Sequence, residues 1–238
     1  MNLEEAGRIV RHKGWLAQQP KEFRDRLIRG TVLRPYDKGE YIYHLDDAPG
    51  MMFGIAEGSV LIGVSHPTAG HYQMHMGRSG DWYGEGAALH GVVRRISVEA
   101  NTPSQILCLP AKAVQEMLQE QPACYKSFSA LLLWNQILAI RTIVDLLIRD
   151  PKARVYARLL TLCGARIGQE LPQGPIELPL TQEQFAMMCG LSRKSVYRVL
   201  NRMEAEGLCE SGYARIVVGS ARALEQRLTA MGSKADQA

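Results

Sequence analysis

The residues of this chain best placed to do chemistry are basic side chains that recur within one short segment. Positions 192–202 contain Arg193, Lys194, Arg198 and Arg202 and no acidic residue. Apolar residues alternate with them at helical spacing, so the basic side chains are expected on the outer side of a helix. A helix face that carries only positive charge suits the phosphates of a nucleic acid. The segment therefore predicts binding to double-stranded DNA.

A preceding helix is needed to hold this basic helix in place, and the sequence predicts one. Gly190 stands where the chain must turn sharply, and Ser192 opens the basic helix after it. Two short helices joined by a tight turn predict a helix-turn-helix. Apolar residues at three- and four-residue spacing give the expected buried faces, which are Phe185, Ala186 and Met188 on the first helix and Val196, Val199, Leu200 and Met203 on the second.

The flanks of this motif favour it over a pair of helices in an ordinary bundle, which is the alternative. Thr181 precedes the first helix and Gln184 comes three residues later. This spacing predicts a capping box that leaves the N-terminal amides of the helix free to face a phosphate. Residues 207–218 predict two β-strands after the second helix. Together the pattern predicts a winged helix-turn-helix.

Composition limits the class of protein. The 238 residues carry a net charge of +4, so any strongly basic surface has to be local. The five cysteines form no C-x-x-C pair, and an odd number argues against a disulfide framework. We recognise no apolar run of transmembrane length and no signal peptide, which predicts a cytoplasmic protein without a membrane partner.

Patterns typical of catalysis are not found in the sequence. There is no nucleophile–base pair, no cluster of metal ligands and no phosphate-binding loop, so we expect neither an enzyme nor a bound metal. His71 and His75 lie on one face of a predicted strand, near His66, and could bind a metal. Exposed strand histidines without further ligands are the interpretation that we favour.

The N-terminal half of the chain predicts a β-rich unit. About thirty helical residues come first, interrupted by Pro20, and are expected to pack on the short β-type segments, separated by glycines, between Thr31 and Leu109. Many short strands with turn signals predict a β-barrel or roll. A short helix is expected between Pro110 and Pro122. The expected strands are 41–43, 51–55, 59–64, 72–76, 96–98 and 105–109.

A long apolar helix is predicted from about Ala123 to Arg149. A wide apolar stripe on this helix can pack on the same chain and on a second copy, so we expect a homodimer, with the core helix of a monomer as the alternative. Asp150 and Pro151 predict the start of a further helix. Four- and three-residue steps give a coiled-coil seam of Ala130, Leu133, Ile137, Ile140, Val144 and Leu147.

The order of motifs along the chain adds a resemblance to these predictions. The segments that carry it are 38–40, 55–60, 79–85, the long helix, Asp150 with Arg154, and 180–203. They resemble the cyclic AMP receptor protein/FNR (Crp/Fnr) family of bacterial transcription regulators. The resemblance implies an α+β protein with three parts. These are a cyclic-nucleotide-binding-like β-roll in 1–122, a dimerisation helix in 123–149, and a winged helix-turn-helix in 150–238 that binds a palindromic operator.

The resemblance also implies a set of DNA contacts. Arginine can donate two hydrogen bonds to guanine, so Arg193 and Arg198 are expected to contact bases. Lys194 takes a position that is commonly glutamate in the best-known members, and lysine cannot accept a cytosine amino proton. The operator should therefore differ at that base pair. The full expected set is Thr181, Gln182, Ser192, Arg193, Lys194, Ser195 and Arg198.

A small-molecule effector is implied for the β-roll. The segment that resembles the family's cyclic-phosphate site begins at Gly84, with Glu85 for a ribose hydroxyl and Arg95 at the spacing of the phosphate arginine. Ile96, however, stands where a hydroxyl residue is expected. Ala139 and Ile140 replace the pair that reads adenine, so we expect cyclic AMP to bind weakly or not at all. The expected effector contacts are Gly84, Glu85, Gly86, Ala87, Arg94 and Arg95, and we assign no cofactor with certainty.

The predicted function is DNA binding that regulates transcription, with double-stranded DNA, a second copy of the chain and RNA polymerase as partners. A receptor for a cyclic nucleotide or another small ligand that acts mainly through protein partners is the alternative. Such a receptor would not require Arg193, Lys194 and Arg198 on one helix face. No cysteine precedes Cys108, which excludes the iron–sulfur branch of the family.

Overall fold

The computed structural model describes residues 1–68, 70–164 and 173–235. The chain divides into two compact units, Met1–Gln136 and Ile137–Ala238, and the boundary between them falls inside one long helix. The α+β class expected from the sequence is confirmed. The three-part division with a separate dimerisation helix stays a prediction.

Two antiparallel sheets of four strands form the centre of the first unit, and their orders are β1-β8-β3-β6 and β2-β7-β4-β5. A cluster of buried apolar side chains that includes Tyr43, Phe53 and Ile62 forms one core of this roll. The strands are β1 Val32–Tyr36, β2 Tyr41–Tyr43, β3 Met51–Glu57, β4 Ser59–His66, β5 Gly70–Arg78, β6 Trp82–Tyr83, β7 Ser97–Ala100 and β8 Ser104–Pro110.

All six predicted strands of the roll are present, but two strands were not expected. The edge strand β1 contains Pro35, which is unable to donate a hydrogen bond and weakens the strand signal. The strand β6 has only two residues and pairs with β3. Gly54 in β3 is required there, because a Cβ atom at this position would lie 2.5 Å from the Trp82 ring.

Helices cover one side of the roll. Trp15 packs edge-to-face against Phe23 and Trp82, and its indole N–H donates to the carbonyl of Ser127, at 2.9 Å. The N-terminal helices therefore pack on the β-rich unit, as expected. The helices of this unit are α1 Leu3–Val10, α2 Gly14–Ala17, α3 Lys21–Arg29, α4 Glu85–His90 and α5 Ala111–Glu120. The helix α6 spans Cys124–Leu147, and its first part, up to Gln136, also belongs to this unit.

The second unit contains the end of α6 and a three-stranded antiparallel sheet, whose strands in spatial order are β10 (Cys209–Gly212), β11 (Arg215–Val218) and β9 (Ile176–Leu178). The sequence predicted a wing of two strands, and the structure adds the third, β9, on the far side of β11. The elements after α6 are α7 Pro151–Leu162, β9 Ile176–Leu178, α8 Gln182–Cys189, α9 Arg193–Ala205, β10 Cys209–Gly212, β11 Arg215–Val218 and α10 Ala221–Ala235.

The helix α6 has two faces that share the same heptad spacing, an apolar one and one that mixes apolar and polar residues. On the inner face the side chains are largely buried, whereas the predicted coiled-coil seam lies on the outer face, where most of its side chains are exposed within one chain. We call these the inner seam and the outer seam. The inner seam is Phe128, Leu131, Asn135, Leu138, Thr142 and Asp145, and the outer seam is Ala130, Leu133, Ile137, Ile140, Val144 and Leu147.

The same helix corrects one expectation. Among the described residues, Cys124–Leu147 is long and apolar enough to cross a membrane when judged by length and composition alone. No run of that length was recognised in the sequence, because Lys126, Arg141 and Asp145 interrupt the apolar residues. The core helix of a soluble protein meets the same criterion, and Asp145 is fully buried beside a cation in this fold.

Candidate DNA-binding and effector sites

The helix α8 begins with a capping box, as the sequence predicted. The Thr181 amide donates to the Gln184 side chain at 2.8 Å, and the Gln184 amide donates to the Thr181 hydroxyl at 3.1 Å. The box therefore uses both of these amides itself, because each one already has an acceptor. The expectation that capping leaves the N-terminal amides free for a phosphate is wrong for these two groups.

The turn after α8 depends on Gly190. This residue has φ of 58°, in the left-handed region that favours glycine, and it ends the helix. The Leu191 amide then donates to the carbonyl of Ala186 at 3.1 Å. Arg154 in α7 donates to the carbonyls of Cys189 and Gly190, at 3.4 and 3.3 Å. The cation thus helps to hold the tight turn between the two helices.

Ser192 is the N-cap of α9. Its hydroxyl accepts a hydrogen bond from the Ser195 amide at 3.2 Å and lies 3.0 Å from the Ser195 hydroxyl. Val196, Leu200 and Met203 are completely buried, so they fix the inner side of the helix. The predicted apolar face of α9 is confirmed at these positions, whereas Val199 is only partly buried.

The basic side chains of α9 lie on its exposed side. Arg193, Lys194, Arg198 and Arg202 are all exposed, as expected. Tyr197 is on the same side, one turn beyond Arg193 and Lys194, and 49% of it is exposed. Tyr197 was not among the expected contacts, although an aromatic residue that interrupts a basic helix face is a usable signal. The hydroxyl of a tyrosine can donate a hydrogen bond to a DNA phosphate, so Tyr197 extends the candidate surface.

The wing carries a further exposed aromatic residue at its tip. The strands β10 and β11 pair from Cys209 with Val218 to Gly212 with Arg215. Tyr213 in the connecting turn is 99% exposed, and Ala214 after it has a positive φ of 50°. Arg215 forms an exposed ion pair with Glu177 of β9, with Nε and Oε2 at 2.9 Å.

The expected effector site is a cavity of about 210 Å³ in the first unit. All six expected effector contacts line it, together with Tyr43, Val92, Val93 and Ile96. Gly84 has φ of 90° and precedes α4, which has only six residues. Glu85 accepts a hydrogen bond from Asn135 of α6 at 2.9 Å, and Asn135 also donates to the carbonyl of Trp82.

Burial raises the pKa of Glu85 above its usual range, although the hydrogen bond from Asn135 and the charge of Arg94 act in the opposite direction. Asn135 was not among the expected effector contacts. An amide within the apolar run of a long helix is the signal that would have identified it, because buried polar groups require a partner. The pair connects the effector site to the inner seam.

The two arginines of this site have different environments. Arg94 is buried, donates to the carbonyl of Met51 at 2.7 Å, and lies over the Tyr43 ring with 4.4 Å between the guanidinium carbon and the ring centroid. Arg95 is largely exposed and approaches Asp46 at 3.9 Å. Spacing from Glu85 favoured Arg95, but Arg94 is the arginine that extends into the roll.

Thiol and metal chemistry have little support in the described residues. All five cysteines are buried. Burial raises the pKa of Cys189 and of Cys209 to about 12, so both are unreactive thiols at neutral pH. Within 1–68, 70–164 and 173–235, no group of three or more potential ligands could hold a metal ion.

The chain combines a winged helix-turn-helix that has an exposed basic helix with a β-roll that contains a small cavity. These two parts define the class of DNA-binding regulators with a ligand-sensor domain. The family described as cyclic nucleotide-binding domain matches residues 33–121, and the Crp-like helix-turn-helix domain matches residues 153–227. The chain belongs to the Crp/Fnr family and is a DNA-binding transcription regulator of that type.

Individual relatives agree with this assignment. The cAMP-activated global transcriptional regulator CRP of Pasteurella multocida is 25% identical over 195 residues, which cover 82% of this chain and 88% of that protein. FixK2 from Bradyrhizobium japonicum has a similar fold, with a TM-score of 0.70, 19% identity and coverage of 82% of this chain and 96% of FixK2. The c-di-GMP responsive global regulator CLP of Xanthomonas campestris gives a TM-score of 0.64, with 19% identity and coverage of 84% and 100%.

Proposed function

We propose that two copies of this chain bind an inverted-repeat operator, with one α9 helix in the major groove of each half-site. The observation that carries this proposal is the exposed basic face of α9 opposite a completely buried side. Two such helices related by a two-fold axis enter successive major grooves, about 34 Å apart. Arg193, Lys194 and Arg198 contact bases, and Thr181, Gln182, Ser192 and Ser195 lie toward the phosphate backbone.

The dimer forms through the outer seam of α6. Leu133, Ile140, Val144 and Leu147 are exposed within one chain, and their heptad spacing is that of a coiled-coil interface. A contiguous exposed apolar surface of this kind marks an interaction site. The regulator acts in the cytoplasm, by binding DNA rather than by catalysis, and RNA polymerase is its partner at the promoter.

Selection of binding sites from random DNA tests the proposal. The unchanged protein should select an inverted repeat, and Arg193→Ala should lose preference at one base pair of each half-site, worth about 1–3 kcal/mol. Arg222→Ala removes the same charge from an exposed position of α10 and should leave the selected motif unchanged. Selection of no inverted repeat by the unchanged protein would contradict the proposal.

We further propose that the sensor does not take cyclic AMP tightly. Ile96 lines the cavity without a hydroxyl, and the Arg94 guanidinium already donates to the carbonyl of Met51. The cavity of about 210 Å³ is also smaller than the roughly 300–1,000 Å³ of most ligand sites. Calorimetry should show no binding of cyclic AMP at micromolar concentration. Binding near micromolar affinity or tighter would contradict this proposal and leave the DNA-binding proposal intact.

A further inference from the structure

A charged network is completely buried in the second unit. Arg158 of α7 and Asp145 of α6 are both 0% exposed, and Nη1 of the arginine lies 3.8 Å from Oδ2 of the aspartate. The same Nη1 donates to the Thr142 hydroxyl at 3.1 Å, and the Thr161 hydroxyl donates to Asp145 at 2.7 Å. Burying two charges carries a large desolvation cost, so the network requires an explanation other than packing.

The arginine of this network also contacts the helix-turn-helix. Nε of Arg158 donates to the carbonyl of Met188 in the last turn of α8, at 3.0 Å. One guanidinium therefore binds side chains of α6 and the main chain of α8, while its own backbone is in α7. Arg154, one turn earlier in α7, repeats this arrangement, because it donates to the carbonyl of Ile148 after α6 and to those of Cys189 and Gly190 at the end of α8.

The planar geometry of the guanidinium determines the direction of these contacts. A guanidinium is planar and presents its N–H groups in a fixed fork, so it sets the direction of each partner as well as its distance. Apolar side chains of similar volume often stabilise a protein as well as a buried ion pair does, but they do not fix an angle in this way. A guanidinium that donates to Thr142 of α6 and to the Met188 carbonyl of α8 therefore limits the angle between the end of α6 and α8, and Asp145 balances its charge.

We infer that Arg158 and Asp145 are positioning residues that set the spacing between the two half-sites of the operator. This inference rests on the proposed function, in which the outer seam forms the dimer. Ile140 and Val144 of that seam lie on the same stretch of α6 as Thr142 and Asp145. The helix α9 follows α8 after a tight turn, so a change in the angle between α6 and α8 also moves α9. In a symmetric dimer that joins through α6, both α9 helices move in this way, and the distance between them changes.

The test compares operators whose half-sites are separated by spacers of different length. One added base pair rotates a half-site by about 34° and moves it by about 3.4 Å, since B-DNA has 10–10.5 base pairs per turn. The unchanged protein should prefer one spacing about tenfold over spacers one base pair longer or shorter. The double variant Arg158→Met, Asp145→Leu should lower that preference to about threefold or less, with unchanged base preference within each half-site.

The matched control removes an ion pair that has no such role. Arg215→Met with Glu177→Leu removes the exposed pair between β11 and β9 of the same unit, and it should keep the spacing preference. Arg158→Lys is the second variant, because lysine retains the charge without the fork, and it should also tolerate altered spacers.

Two results would count against the inference, and they are distinguishable. A folded Arg158→Lys or double variant that keeps the original spacing preference would overturn the positioning role alone. An unchanged protein that selects no inverted repeat would overturn the proposed function, and the positioning role with it. A role in stability alone would lower the melting temperature of the variants without changing which spacer they prefer.

Discussion

At the scale of single residues, Ser192 combines a structural role with its expected place beside DNA. Its hydroxyl caps α9 by accepting from the Ser195 amide. Ser192→Ala should lower the free energy of unfolding by about 1 kcal/mol, whereas Ser192→Asn should retain most of the stability because asparagine is also a good N-cap. Thermal unfolding of the variants without DNA measures this, and equal stability of Ser192→Ala and the unchanged protein would contradict it.

Glu85 should make stability depend on pH. Burial raises the pKa of this carboxyl in the folded protein, so the folded state retains its proton to higher pH than the unfolded state does. Its contribution to stability is complete below the ordinary pKa of glutamate and is lost as the pH rises through the raised value. Urea unfolding from acidic to neutral pH should show a shallower decline for Glu85→Gln. Identical pH profiles would contradict the prediction.

Some of the site residues could be predicted from the sequence and others could not, and the difference has a physical cause. The capping box and the buried face of α9 depend on local spacing, so Thr181, Gln184 and Leu200 could be assigned correctly. The choice between Arg94 and Arg95 depends on which side of the chain faces the roll, and spacing from Glu85 does not determine it. Long-range contacts such as that between Asn135 and Glu85 leave only a weak local signal.

At the scale of elements, the strands that the sequence did not predict are short or irregular segments that become strands by pairing with a neighbouring strand. The strand β9 has three residues, Ile176–Leu178, and among the described strands it pairs with β11 alone. A short extended segment has no periodicity that could distinguish it from a loop. Long elements such as α6 were predicted to within two residues at each end, because their pattern repeats many times.

The junction of α6, α7 and α8 should be sensitive to loss of one charge. Asp145→Ala leaves the Arg158 guanidinium buried without its carboxylate, which should lower the free energy of unfolding by about 3–5 kcal/mol. The double variant Arg158→Met, Asp145→Leu should recover much of that loss. Chemical denaturation of the single and double variants tests this, and a single variant as stable as the unchanged protein would be inconsistent with a coupled pair.

At the scale of the whole molecule, the outer seam should control assembly. Ile140→Glu with Val144→Glu places charges on exposed side chains, so each chain should still fold but the dimer should dissociate. Ala139→Glu adds a single negative charge to an exposed part of α6 outside the outer seam and serves as the control. Light scattering at micromolar concentration should give a dimer mass for the control and a monomer mass for the seam variant. A monomer mass for the unchanged protein would refute the assignment.

The two seams of α6 have a consequence for how this protein tolerates mutation. The inner seam is largely buried within one chain, so we expect each chain to need it for folding, whereas the outer seam is largely exposed and should be needed only once two chains meet. In a library of all single substitutions in α6, the two seams should therefore respond differently to two kinds of selection. Selection for cellular abundance should deplete substitutions in the inner seam alone. Selection for gene regulation should deplete substitutions in both seams.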